Sequence, residues 1–272
     1  MTADERLALI RVKIQRAKEH IRDLHVEVRA FLTTPPEPYV IATKRDPQTR
    51  ELIHYLSSAV EEVPSNLGSI VGDVVQNLRS ALDHLAYQLV LIGSPGVVPG
   101  RHVYFPISED PARYDSEAPG KVKGMRQDAI KAINALKPYK GGNEFLWTLH
   151  RLNNIDKHRM LITVGAAHVA RSMPPLLRKA LRTALAPSGL SGLLDEVSVL
   201  SIDARQIKCP LKKGDELFRD APDAEVDKDM KLYIEIVFGE PQILPCTMLA
   251  PTLLRMANSI DDIIVSFKPF LA

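Results

Sequence analysis

Apolar side chains recur at steps of three and four from residue 5 to 32, through Leu7, Ile10, Ile14, Ala17, Ile21, Leu24, Val28 and Phe31. That is the period of an α-helix with one buried face, so the spacing predicts a long amphipathic helix stopped by Pro35 and Pro36. Two β-prone runs, 39–43 and 51–56, flank Asp46-Pro47-Gln48-Thr49 and predict a β-hairpin at about 37–57. Helical spacing returns over 66–92, over about 124–136, and over 144–160 behind Gly141-Gly142-Asn143. The Gly- and Pro-bearing stretch 93–124 reads as an irregular connection, and a weaker helical pattern covers 174–186. From about 194 to 240 the period changes to two, with alternation at 197–202 and 232–238 and turn chemistry at 212–217. The tail, 247–268, is helical again.

This order predicts an α+β fold, a helical bundle of long amphipathic helices with an inserted β-hairpin and a small antiparallel sheet. Residues 1–190 form the mainly helical part in this reading, and 191–272 a β-rich segment followed by a C-terminal helix that packs back on the bundle. The boundary near 190 is soft, and a single domain fits the same pattern.

Composition narrows the function classes. Of 272 residues, 45% are apolar and 25% charged, which is ordinary for a globular chain. The 35 Lys and Arg nearly balance 33 Asp and Glu, so a polybasic domain is excluded and nucleic acid could be held only by a local site. Cys209 and Cys246 cannot make a disulfide framework or a four-thiolate zinc site. The first residues are charged and lead into no apolar signal core, and no apolar run reaches the ~20 residues of a membrane span. A cytoplasmic chain without membrane contact is the expectation. No phosphate-cradling Gly-rich loop, nucleophile elbow, His-Glu-x-x-His or paired-cysteine pattern occurs, so no cofactor and no metal are expected.

Two helices carry polar groups in informative places. On 66–92, at ~100° per residue, Asp73, Asn77, Ser80 and His84 fall within about 40° of one line, away from the apolar sector of Leu67, Val71, Val74, Leu78, Leu82, Leu85 and Leu89. Solvated faces usually carry Lys and Glu, whereas these short groups suit a packed polar network. Arg79 and Asp83 form a separate i, i+4 pair. On 144–160, Asn153 and Asp156 point into the apolar sector of Phe145, Leu146, Leu149, Leu152 and Met160, while Arg151 and His158 lie opposite, as surface residues. A carboxylate inside an apolar stripe is costly unless it is paired. A cation should therefore face Asp156, and Arg79 or His84 is the expected partner, whether the bridge is architectural or functional. A metal site from Asp73, His84, Asp156 and His158 fails on distance, because Asp73 and His84 are roughly 16 Å apart along their helix.

The segment Arg79-Ser80-Ala81-Leu82-Asp83-His84, an Arg and a His separated by four residues on a long helix, resembles the signature of the HEPN superfamily. The wider run 77–87, with Phe105-Pro106-Ile107 and Asn154-Ile155-Asp156-Lys157-His158-Arg159, also resembles a group of uncharacterised bacterial proteins. HEPN domains are helical bundles, many of them metal-independent endoribonucleases of toxin–antitoxin and phage-defence systems, and others inactive partners. The resemblance implies a homodimer, RNA as partner, and an antitoxin or defence-system partner. It also implies catalytic roles, with Arg79 stabilising the phosphate and His84 moving the proton as the 2′-OH attacks. Asp73, Asn77, Asp83, Asn153 and Asp156 would be the supporting network. A guanidinium matches a phosphorane's oxygens, and imidazole titrates near neutral pH, so the chemistry is coherent. Ser80 departs from the polar Asn, Asp or His that often follows the Arg, and five residues turn a helix by about 140°, which separates Arg79 from His84 on a straight helix. The other reading is a non-catalytic binding or interaction module in which the Arg/His/Asp set is a structural network.

Overall fold

The computed structural model describes residues 1–60, 62–171, 205–220, 222, 230–240 and 242–272. The elements are α1 (Ala3–Thr33), β1 (Tyr39–Arg45), β2 (Leu52–Ala59), α2 (Ser65–Gly93), α3 (Pro111–Lys121), α4 (Gln127–Ala135), α5 (Glu144–Asp156), β3 (Thr163–Arg171), β4 (Arg205–Lys208), β5 (Glu216–Asp220), β6 (Met230–Glu240), β7 (Leu244–Met248) and α6 (Leu249–Ser266), closed by a 3-10 turn at Lys268–Leu271. This is an α+β fold. The expected helix at 174–186 and strand at 197–202 lie outside the described residues. Among the described residues, no helix is long and apolar enough to cross a membrane.

The chain divides into two compact units that alternate along it, 1–28 with 64–162 and 238–272, and 29–63 with 163–237.

In the first unit α2 is the central helix. Leu67, Val71, Val74, Val75, Leu78, Ala81, Leu82, Leu85, Ala86 and Leu89 are at most 1% exposed, so far more than one stripe of this helix is covered. It packs on α5 and α6. The C-terminal helix thus belongs with the bundle. On α1 the buried positions Leu7, Ile10, Ile14, Ala17, Ile21 and Leu24 follow the helical period, and Arg11 forks onto Asp261 of α6 with bonds of 2.8 and 2.9 Å.

Two glycines one turn apart bring α2 close to the end of α5. A Cβ on Gly68 would stand 2.7 Å from the Leu161 carbonyl oxygen, and one on Gly72 would collide with the Asp156 carboxylate. A side chain can turn aside, but a backbone carbonyl cannot. Gly68→Ala is therefore expected to cost about 1–3 kcal/mol, the usual penalty of overpacking. Urea unfolding of the two proteins measures it, and equal midpoints would show that the helices can separate freely there.

Three differences from the sequence pattern have physical causes. The connection 93–124 contains α3, whose start is set by Asp110 accepting from the Arg113 amide (2.9 Å) and by Pro111 in the first turn. Prolines at 111 and 119 make this helix look like a loop in sequence. Helix α5, capped by Asn143 accepting from the Leu146 amide (3.1 Å), ends at Asp156 rather than 160. Beyond it Arg159 and the Ile162 amide both bond Glu240, a carboxylate 2% exposed, and the chain leaves the helix to reach it. Finally, β3 follows at Thr163–Arg171, where no strand was expected.

In the second unit the hairpin gains a third strand, giving the order β1-β2-β5 with both pairs antiparallel. Arg219 on β5 ties the three strands and their turn together through Glu216, Asp46 and Glu51. The 212–217 turn is present, with Gly214 at φ 89° and Asp215 accepting from the Lys212 amide (2.7 Å). Separate from the β1-β2-β5 sheet is the small sheet expected beside the hairpin, in the order β4-β3-β6-β7. At β3, Gly165 leaves room for the Tyr39 phenol, which lies where a side chain would stand.

Candidate functional site

The densest polar arrangement of the first unit joins α2, the segment 104–109 and α5. Arg79 and Asp83 are one helical turn apart on α2, and the bond between Arg79 Nη2 and Asp83 Oδ1 is 3.0 Å. The same Nη2 donates to the Phe105 carbonyl (2.8 Å), and the Phe105 amide donates to Asp83 Oδ1 (3.0 Å). The main-chain N–H and C=O of one residue thus close a ring with the ion pair and fasten the chain at Phe105 to α2. Arg79 is 8% exposed. Burial pulls its pKa below the usual arginine value, partly offset by the Asp83 charge. The Asp83 carboxyl is raised, by burial first, against the pull of Arg79 and the Phe105 amide. For both partners desolvation outweighs attraction. Such a pair adds little net stability, yet removing one member is costly.

On α5 and the residue that caps it, His150, Asn154 and Lys157 form an i, i+4, i+7 stripe beside the apolar sector. The Asn154 amide nitrogen lies 3.0 Å from His150 Nε2. An amide nitrogen only donates, so Nε2 accepts and the proton of the neutral ring sits on Nδ1. Burial, and then the charge of Arg79, push His150 down to about 4. The ring is neutral at pH 7. Its Nδ1, Arg79 Nη1 and Asn153 Oδ1 are buried atoms without a hydrogen-bond partner among the described residues. Below this cluster Glu109 accepts from Trp147 Nε1 (3.1 Å) and Arg151 Nη1 (3.0 Å), which anchors the 104–109 segment to α5.

The residues proposed from sequence are only partly brought together. Arg79 and Asp83 meet as the i, i+4 pair predicted. His84 is exposed and outside that ring, while Arg79 is buried, as the ~140° separation on a straight helix requires. Asp73 is exposed and Asn77 half-buried, with the Asn77 amide donating back to the Asp73 carbonyl (2.8 Å). The line Asp73, Asn77, Ser80, His84 is therefore a partly solvated face rather than a packed network. Asn153 is 1% exposed, inside the apolar stripe as expected.

Asp156 needs a correction. The sequence pattern called for a cation against it, Arg79 or His84. Among the described residues it makes no ion pair; Arg79 is committed to Asp83 and Phe105. Asp156 instead lies over Gly72, and burial and the neighbouring Asp73 charge raise its pKa. The absent side chain of Gly72 gives the carboxylate its space, and its half-buried position at the end of α5 leaves it solvent. No cation is required there. His150, Asn154 and Lys157 border the apolar stripe rather than lie inside it, so a buried His150 does not stand out in the pattern of apolar positions. Their helical spacing was the available signal.

No three or more of the His, Cys, Asp and Glu side chains converge as a metal site would require, among the described residues. The chain matches no family model, no curated protein and no solved structure.

Proposed function

We propose that this chain is a non-catalytic binding module in which Arg79, Asp83 and the Phe105 peptide form a structural lock between α2 and the segment leading to α5. One observation carries the reading. The Arg79 guanidinium is 8% exposed and spends Nη2 on Phe105 and Asp83, while His84 faces solvent outside that ring. A phosphate-stabilising arginine must present its fork to substrate, and a proton-transferring histidine must reach the same atoms. The endoribonuclease that the HEPN resemblance implies would need Arg79 to abandon its lock, or a second subunit to complete the site.

The discriminating measurement is RNA cleavage by the folded chain in EDTA, at a concentration where its oligomeric state is known. Intact RNA from a confirmed dimer is the expected result. Cleavage that survives EDTA and disappears in folded His84→Ala protein would overturn the module reading in favour of the ribonuclease.

A further inference from the structure

Along α5 and the residues that follow it lies a cavity of about 410 Å³ lined by Arg151, Asn154, Ile155, His158 and Arg159. We infer that this groove is a binding site for a small organic oxyanion, a carboxylate or a phosphate monoester. The inference deepens the module reading by naming a ligand class and the residues that hold it.

The cations come from two turns of one helix and the residues that follow it. Arg159 beyond the end of α5 would be favourable for the helix dipole alone. Arg151, in the middle of the helix, is not explained that way, and neither is the cavity. Each arginine is held from behind by a carboxylate. Glu109 takes Arg151 Nη1 at 3.0 Å, and Glu240, 2% exposed, takes both terminal nitrogens of Arg159 at 2.8 and 3.0 Å. These bonds fix the guanidinium planes before any ligand arrives, which lowers the ordering cost of binding. They also leave donors over. Among the described residues Arg151 Nε and Nη2 and Arg159 Nε make no hydrogen bond, and His158 is exposed with neither ring nitrogen bonded. The Nε–Nη2 edge of Arg151 is the bidentate fork that carboxylate and phosphate oxygens fit.

Size and lining define the rest of the ligand. The volume lies within the range of about 300–1,000 Å³ usual for small-molecule sites. A bare phosphate would leave most of it unfilled, and Ile155 between the two arginines offers an apolar surface to an organic group. Asn154 lines the groove while its amide is given to His150. It therefore shapes the wall and links the groove to the buried cluster.

Calorimetric titration of the full chain at low salt tests the assignment, with phenyl phosphate, benzoate, inorganic phosphate and benzyl alcohol as probes. Saturable one-site binding of phenyl phosphate, benzoate or both is expected, with inorganic phosphate weaker and benzyl alcohol silent. The aromatic probe that binds better identifies phosphate or carboxylate as the preferred group. Arg151→Gln, which leaves Glu109 bonded to Trp147, and His158→Ala should each weaken binding by about tenfold or more, as lost charge-assisted hydrogen bonds do. Both variants should keep the wild-type circular dichroism. Absence of saturable binding for both aromatic oxyanions, or unchanged affinity in both folded variants, overturns the site. The RNA assay separates this from the module reading: intact RNA with no oxyanion binding removes the groove alone, whereas EDTA-resistant cleavage removes the module reading whatever the titration gives.

Discussion

Arg79→Leu should lower stability by about 3–5 kcal/mol, because the Asp83 carboxylate and the Phe105 carbonyl lose their buried donor together. For a chain of this size each kcal/mol moves the melting temperature by about 2–4 °C, so a fall of roughly 10 °C is expected by calorimetry. The partner substitution sharpens the test. In Arg79→Leu/Asp83→Leu no charge is left stranded, and the double variant should melt above Arg79→Leu. Asp156→Asn should behave oppositely. Its carboxyl is raised by burial and by Asp73, so at neutral pH the charge opposes folding, and removing it should leave the melting temperature unchanged or higher. Equal losses in Arg79→Leu and Asp156→Asn would return Asp156 to the network from which the geometry removes it.

The second large effect is a pH dependence centred on His150. Its folded pKa, about 4, lies below the ordinary 6.5, so the unfolded chain takes up the proton first. The stability contributed by the neutral ring is complete above 6.5, declines as pH falls from 6.5 toward 4, and is fully lost below that. The shift corresponds to about 3 kcal/mol. The groups acting on the ring are Arg79, Lys121 and Lys157, which oppose protonation, and Glu109, which favours it. Between pH 6.5 and 4, His150→Leu should lose about 3 kcal/mol less stability than the wild type in denaturant titrations. Parallel pH curves for the two proteins would mean that the ring protonates in the folded state as freely as in water.

The four long helical patterns were legible because each buries a face of regular period, and the register of Leu7 through Leu24 on α1 could be read directly from the chain. Helix α3 was hidden because the prolines that start and cross it are also the commonest loop residues. Strand β3 was hidden because Gly165-Ala166-Ala167 gives no alternation of large and small polarity. In the site, the Arg79–Asp83 pair follows from i, i+4 spacing alone. The Phe105 peptide that completes it could not be read, since a main-chain group leaves no mark in a side-chain pattern. The error over Asp156 has the same origin. Its environment is set by Gly72, whose contribution is the absence of a side chain, and the pattern of apolar positions registers only what is present.

The alternating division of the chain has a practical consequence. One unit is assembled from three stretches of sequence and the other from two, so no single cut releases either as a continuous fragment. Helix α1 and strand β6 each carry the chain across a boundary without leaving their hydrogen-bonded ladders. A protease working on this molecule should therefore yield nicked fragments held together by folding rather than separable halves. An attempt to express either half alone would have to rejoin ends the chain never places in succession.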